Sequence, residues 1–286
     1  MKAAVQQAPE AAGLDLANWT WKGVRVFVQK LCGQSLSRSS CLNYLHRLGF
    51  VLKRPKKRLS KADEAARVAF VRTYHDLQRA ARRSGAKIFF VDEALFRADV
   101  DLRAKWVLRG EPALVDSTSP RRGEKACYYS AVCLETGDVE FMDVPETCTA
   151  ETSALFLTQL RTNHPEHLIV IWDNGPAHRG EAIRTYLTTP NLNLRLVALP
   201  AYSPDFNADE AIWDWVRDEV TANTCFGTKA KVHDKVDAFL AGLAQRKTEV
   251  QQRCRTTLQA QADKLFVADG PVPAPSDHVD FTLASV

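Results

Sequence analysis

Short apolar runs alternate with helical patterns between residues 87 and 221, and this order constrains the fold more than any other feature. The runs predict strands at 87–92, 127–134, 139–144, 167–172 and 194–199, of which the second and third form a hairpin. Helical spacing predicts helices at about 152–163, 180–187 and 209–221. Three early strands followed by alternating strand and helix units indicate an α/β fold, with a mixed sheet flanked by helices.

The N-terminal region has the outline of a helix-turn-helix. Apolar residues at helical spacing predict one helix over 19–31 and a second that begins at a Ser37 or Ser39 cap. The residues before them, about fifteen in number, are expected to form a frayed end. Because the second helix of such a motif enters the major groove, we expect Arg38 and Ser39 to contact DNA.

A basic segment follows this motif directly. Five of its six residues are cations suited to phosphate contacts, namely Lys53, Arg54, Lys56, Lys57 and Arg58. Residues 1–91 hold 18 basic and 5 acidic residues, a net charge of +13, whereas 92–286 hold 20 and 29, a net charge of −9. This asymmetry predicts a polyanion-binding module joined to an acidic body, although a solvated charged surface has the same composition.

These patterns divide the chain into four parts. We expect a helix-turn-helix DNA-binding segment with a basic linker at 1–60, a linker helix at 61–86, a catalytic domain at 87–270 and a flexible tail at 271–286. Two further helices at about 229–246 and 248–265 should close the catalytic domain.

Several classes of protein are excluded or disfavoured. The longest unbroken apolar stretch, at 168–172, has five residues, far fewer than the roughly 18 needed to cross a bilayer. There is no apolar core beside a cleavage site at the N-terminus, and the seven cysteines include no CxxC pair. We therefore expect a reduced cytoplasmic protein without a membrane partner, associated with the nucleoid through DNA.

Three carboxylates are candidates for one site. Asp92 and Asp173 each follow an apolar run, and Glu210 lies in the first turn of the helix after the last strand. The ends of neighbouring strands lie about 5 Å apart, and a buried acid is costly without a cation nearby. Three oxygen ligands favour Mg²⁺ or Mn²⁺, which in pairs can drive phosphodiester chemistry. Spacing alone leaves the question open, since 34 acids offer many accidental triples.

Three segments carry a family resemblance: Phe90–Glu93, Ile171–His178 and Leu199–Trp213. They resemble the signature blocks of DDE transposases, and most nearly those of the bacterial insertion-sequence branch of the mariner superfamily. The resemblance covers about residues 20–265. It implies a ribonuclease-H-like fold, double-stranded DNA as partner through terminal inverted repeats and a TA target, and a homodimer that pairs two ends.

The resemblance also implies roles for individual residues. Asp92, Asp173 and Glu210 take the positions of catalytic acids that bind two Mg²⁺ or Mn²⁺ ions. Asn174 and His178 take supporting positions, although a cap or core histidine is an equally open interpretation of His178. A further set of residues matches a loop of the family that shapes the site and does not bind metal: Tyr202, Ser203, Pro204, Asp205 and Asn207.

The chain departs from the family pattern in two places. Ala208 and Asp209 stand where proline and an aliphatic residue usually precede the glutamate, so Asp209 is a rival ligand. Adjacent helix positions point about 100° apart, and we expect Glu210 rather than Asp209 to reach the metal. Relatives usually carry two helix-turn-helix units and this chain shows one, which predicts an incomplete DNA-binding segment, from a truncated copy or a split element.

We expect a transposase that cuts DNA at transposon ends and transfers the 3′ strands into target DNA with two divalent metal ions. Two alternatives remain at this point. One is a truncated DNA-binding protein without transposition activity, and the other is a metal-dependent nuclease indifferent to sequence.

Overall fold

The computed structural model describes residues 1–53, 61–118 and 124–269. The chain forms two compact units that divide near residue 58. Arg54, Lys56, Lys57 and Arg58 of the basic segment lie outside the described residues, as does the expected tail at 271–286. The functional division of the chain into 1–60, 61–86 and 87–270 stays a prediction.

The first unit is helical. It contains α1 (Lys2–Val5), a 3₁₀ turn (Pro9–Ala12), α2 (Trp21–Cys32) and α3 (Arg38–Arg47). The Ser37 hydroxyl accepts a hydrogen bond from the Ser40 amide at 3.1 Å, which confirms it as the cap of α3. Val24, Val28 and Cys41 form a small core. The expected frayed end is wrong for these first residues, because local helical hydrogen bonds order them.

The second unit contains a five-stranded mixed sheet. Its strands are β1 (Lys87–Arg97), β2 (Lys125–Val132), β3 (Val139–Val144), β4 (Leu168–Trp172) and β5 (Leu194–Ala198). They lie in the order β3-β2-β1-β4-β5, with β2 antiparallel to both of its neighbours and β4 parallel to both of its own. This is the mixed sheet that the sequence predicts.

Helices cover both faces of the sheet. The elements are α4 (Glu64–Ser84), α5 (Ala150–Asn163), α6 (Glu181–Leu187), α7 (Glu210–Val216), α8 (Lys229–Gly242), α9 (Lys247–Arg253) and α10 (Thr257–Asp269). One core joins alternate sheet residues to α4 and α7–α10, and the other joins the opposite face to α5 and α6. No helix among these described elements is long and apolar enough to span a membrane.

Three expectations need correction. Asp92 does not end its strand, because β1 continues to Arg97 through pairing with β2. The helix expected over 248–265 is two helices, since the Thr256 hydroxyl accepts from the Gln259 amide at 3.2 Å and starts α10. The helix expected over 209–221 changes to a π-helix at Arg217–Thr221.

Candidate active site

The strand register brings the first two acids together. β1 and β4 pair in parallel from Lys87 opposite Leu168 to Phe90 opposite Ile171. Asp92 and Asp173 each lie two residues beyond the last of these pairs, so they occupy matching positions on neighbouring strands. Since neighbouring strands lie about 5 Å apart, their side chains share one edge of the parallel pairing.

Glu210 joins them from the start of α7. Asp92, Asp173 and Glu210 line one cavity of about 440 Å³, together with Asn174, Gly175, Arg179, Leu199, Pro200, Ala201, Tyr202, Ser203, Pro204 and Asn207. The lining thus includes residues from the strand ends and from the loop that precedes α7. The structure therefore brings all three predicted acids into the same cleft.

The acids crowd one another electrostatically. Burial raises the pKa of the Asp92 carboxyl well above its usual range, and Glu210, Asp209 and Glu93 raise it further by repulsion. Burial also raises the pKa of Glu210. A divalent cation would relieve this repulsion, and an all-oxygen set of this kind suits Mg²⁺ or Mn²⁺. The residues present therefore fit such an ion.

Asp209 does not face the cleft. Its side chain is fully buried, and the Ser130 hydroxyl donates to its Oδ2. Its Oδ1 has no hydrogen-bond partner among the described residues. Burial raises the pKa of Asp209, and although the Ser130 hydrogen bond opposes this shift, repulsion from Glu210 and Glu93 adds to it. Of the two adjacent acids, Glu210 is the one that reaches the cavity.

Two asparagines fix the loop that carries Glu210. Asn174 donates from Nδ2 to the Leu199 carbonyl oxygen at 2.7 Å, which ties the loop to the end of β4. Asn207 is buried and donates to the Val91 carbonyl oxygen at 3.1 Å, which ties it to β1. The Asn207 side chain also accepts from the Asp209 amide, the cap position of α7. Both residues support the position of Glu210.

His178 lies between two carboxylates. Its Nε2 is 3.1 Å from Glu93 Oε1 and 3.3 Å from Asp173 Oδ1, and its ring lies against Trp172 with centroids 4.2 Å apart. Burial alone would lower the pKa of His178, but hydrogen bonds to Asp173 and Glu93 raise it to about 9. The same hydrogen bond from His178 is the main cause of the lowered pKa of Asp173. His178 therefore favours an ionised Asp173.

Glu93 is a site residue that the sequence analysis did not single out. Successive side chains of a strand point to opposite faces, so Glu93 faces away from Asp92 and toward His178. Glu93, Asp173 and His178 offer three ligand atoms within 4.8 Å of one another, a set that could itself hold a metal. Here Nε2 of His178 already contacts both carboxylates, whereas burial and the neighbouring acids raise the pKa of Asp92.

Arg67 of α4 clamps the same loop from outside. Its guanidinium donates to Asp205 Oδ1 at 3.0 Å and to Oδ2 at 2.7 Å, and lies 4.0 Å from the centroid of the Phe206 ring. The Thr257 hydroxyl of α10 donates to the Asp205 carboxylate and lies 3.0 Å from its carbonyl oxygen. Asp205 is therefore a structural residue of the loop and is absent from the cavity lining.

The family resemblance implies Mg²⁺-dependent DNA cleavage, and replacing Arg67 with lysine should then raise the Mg²⁺ concentration needed for half-maximal cleavage several-fold. Lysine keeps the charge but loses the two-pronged geometry that holds Asp205. Arg72→Lys on the same helix, at an exposed position, is the matched control. Cleavage would be measured against Mg²⁺ concentration, with DNA affinity measured in parallel. An unchanged Mg²⁺ dependence in Arg67→Lys would show that the clamp does not position the acids.

The structure describes only part of the expected DNA-binding set. Arg38 and Ser39 lie in the exposed first turn of α3, and Arg38 lies 5.9 Å from the centroid of the Trp21 ring. Lys53 is exposed beyond the end of α3. Their contacts with DNA stay a prediction.

Comparison with known families agrees with this arrangement. Residues 87–233, just over half of the chain, match the model of the DDE superfamily endonuclease. The chain belongs to that family. Residues 16–74 match a second family, the winged helix-turn helix. This DDE endonuclease therefore joins a nuclease-class catalytic domain to a DNA-binding domain of helix-turn-helix type.

Individual proteins are similar to this chain over most of its length. The chain is 24% identical over 243 residues to the insertion element IS630 uncharacterized 39 kDa protein of Shigella sonnei, covering 82% of this chain and 68% of that protein. The Mos1 transposase paired-end complex has a TM-score of 0.62 at 20% identity, covering 94% of this chain and 79% of that one. The Mos1 strand transfer complex has a TM-score of 0.64 at 19% identity, and the match covers 95% of this chain and 78% of that one. These structures establish the fold.

Proposed function

We propose that this DDE endonuclease is a transposase, which cuts DNA at the ends of a mobile element and joins the freed 3′ ends to target DNA. The observation that carries the proposal is the shared cleft of Asp92, Asp173 and Glu210. The similarity to an insertion-element protein and to a transposase bound to a transposon end supports it.

We assign metal binding to the three acids of the cleft. Solved complexes of Mos1 contain Mn or Mg, which supports the same choice of cation here. Two ions held by Asp92, Asp173 and Glu210 would supply Lewis-acid activation of the attacking oxygen and stabilisation of the leaving oxygen. Burial, together with repulsion from the neighbouring acids, raises the pKa of Asp92, and a bound cation would offset both effects.

The surrounding residues orient this set. His178 holds Asp173 in its ionised form, and Glu93 holds the His178 ring from the other side. Asn174 fixes the loop that carries Glu210. The exposed Arg179 lines the cleft and places a positive charge where a DNA phosphate would enter.

DNA recognition belongs in this proposal to residues 1–60, and phosphodiester chemistry to residues 87–270. Transposon terminal inverted repeats and a TA-containing target are the proposed DNA partners. A homodimer would pair two ends, as expected for an enzyme that acts on both ends of one element. Such an enzyme would work on the DNA of the nucleoid.

The basic segment should contribute to affinity for any DNA sequence. Replacing Lys56, Lys57 and Arg58 with alanine should weaken binding and flatten its dependence on salt. Each lost phosphate contact lowers the slope of log K against log salt by about 0.9, because fewer counterions are released. Affinity would be measured at several salt concentrations. An unchanged slope would exclude these residues from the DNA interface.

A cleavage assay in Mg²⁺ tests the function. The substrates are DNA from the two flanks of the gene, where the proposal places inverted repeats, and DNA of the same length with those flanks scrambled. Cleavage at the repeats followed by joining to a second DNA supports the transposase. Binding without cleavage would instead indicate a DNA-binding protein, and equal cleavage of both substrates would indicate a nuclease without end recognition.

A further inference from the structure

Tyr202 holds an unusual backbone conformation at the edge of the cleft. Its φ is +58°, in the left-handed region that costs free energy for a bulky side chain. The other non-glycine residues with positive φ in the described chain are Asn191, Asn193 and Asn223, a residue type that tolerates this region. A strained residue of this kind is retained when its surroundings enforce it, and such residues concentrate at functional sites.

The loop around Tyr202 enforces that conformation. Ser203 and Phe206 are buried, Asn207 is bonded to β1, and Asp205 is held by Arg67. The Tyr202 side chain itself is not part of this packing, since half of it (51%) is exposed. The loop therefore holds the ring out at the cleft without burying it in the core.

The position of the ring indicates its ligand. Tyr202 lines the same cavity as the three acids, and Lys61 Nζ lies 6.0 Å from the ring centroid. Arg179 lines the same cavity. An exposed aromatic ring near cations is the arrangement that binds single-stranded nucleic acid, in which bases stack on the ring and cations meet the backbone.

We propose that Tyr202 stacks on an unpaired base of the DNA strand whose phosphodiester enters the cleft. This inference rests on the proposed function, because it takes DNA to be the substrate of the acids. A base inside a duplex has both faces covered by its neighbours, so only an unpaired base offers a free face to the ring. A cavity of about 440 Å³ is of a size to hold one or two nucleotides.

The test compares four versions of the full chain: wild type, Tyr202→Phe, Tyr202→Leu and Tyr202→Asn. The probe is a DNA duplex with a single-stranded 3′ overhang that contains 5-iodouracil, which cross-links under light to a stacked aromatic ring. Binding and cross-linking are measured in EDTA, so that no cleavage interferes. Phenylalanine keeps the ring, leucine keeps the strain without the ring, and asparagine removes both.

We expect wild type and Tyr202→Phe to cross-link through the peptide that contains residue 202. Tyr202→Leu and Tyr202→Asn should lose the cross-link and bind the overhang at least about fivefold more weakly, while binding blunt duplex as wild type does. Full cross-linking or affinity in Tyr202→Leu would overturn the proposal. Loss in Tyr202→Phe would indicate a hydroxyl contact, and wild-type affinity in Tyr202→Asn would indicate a backbone role; either result overturns stacking.

A parallel cleavage assay of wild type in Mg²⁺ separates this proposal from the function on which it rests. Cleavage without a cross-link at residue 202 would reject stacking and keep the transposase. The opposite outcome is that wild type cross-links at residue 202, loses the cross-link when the ring is removed, and fails to cleave DNA. That result would support the stacking contact and reject the transposase function.

Discussion

Asp173→Asn should lower the rate of Mg²⁺-dependent DNA cleavage by more than about 100-fold, beyond the loss typical of residues outside the metal ligands. The substitution removes a carboxylate of the cleft and replaces it with a neutral amide of the same shape. It leaves the basic N-terminal segment unchanged, so DNA affinity without metal should match that of wild type. Single-turnover cleavage and equilibrium binding check the two halves of this prediction.

Asp76→Asn is the matched control. Asp76 is an exposed acid of α4 outside the cleft, so the same change of charge there should leave cleavage at the wild-type rate. Retention of cleavage by Asp173→Asn would remove Asp173 from the catalytic set. A loss of DNA binding in that variant would mean that its defect is not one of chemistry alone.

Asp209→Asn should become progressively more stable than wild type as the pH rises from about 4. Burial raises the pKa of Asp209 in the folded protein, so the folded state holds a proton that the unfolded state has already lost. Between the unfolded and the folded pKa, each pH unit therefore costs wild type about 1.4 kcal/mol of unfolding free energy. The asparagine variant does not carry this cost.

Urea unfolding of the metal-free protein at pH 5 and pH 8 measures the difference. Asp138→Asn is the control with no change between these pH values, because hydrogen bonds from Lys247 and Thr136 overcome the effect of burial and lower the pKa of Asp138 to about 2. Its carboxyl is therefore ionised in both the folded and the unfolded protein at pH 5 and at pH 8, and the difference in stability between wild type and Asp138→Asn should be equal at the two pH values. A difference for Asp209→Asn that is the same at both pH values would show that Asp209 is already ionised in the folded protein.

The sequence was sufficient to predict the order of elements and the three acids of the cleft. Buried strands such as β4 are continuous apolar runs, and their ends mark the positions where polar side chains must find partners. The signature segments then supply the third acid, Glu210, whose place in the first turn of α7 the structure reproduces. Periodicity did not predict the end of β1, since its continuation depends on pairing with β2.

The contacts between distant segments could not be predicted from the sequence. Asp209 and Ser130 are 79 residues apart in the chain, and their contact depends on how α7 packs on the sheet. The Arg67 clamp on Asp205 joins residues 138 apart, and nothing near either residue indicates the pairing. The position of Glu93 could have been predicted locally, because an acid that directly follows Asp92 in a strand faces the opposite side of the sheet.

The location of bound Mn²⁺ tests the central claim most directly. Anomalous diffraction from crystals of the full chain soaked in Mn²⁺ would show each ion without reference to activity. We predict a peak among the carboxylates of Asp92, Asp173 and Glu210. A peak confined to Glu93, Asp173 and His178, or no peak in the cleft at saturating Mn²⁺, would contradict the assignment of the site.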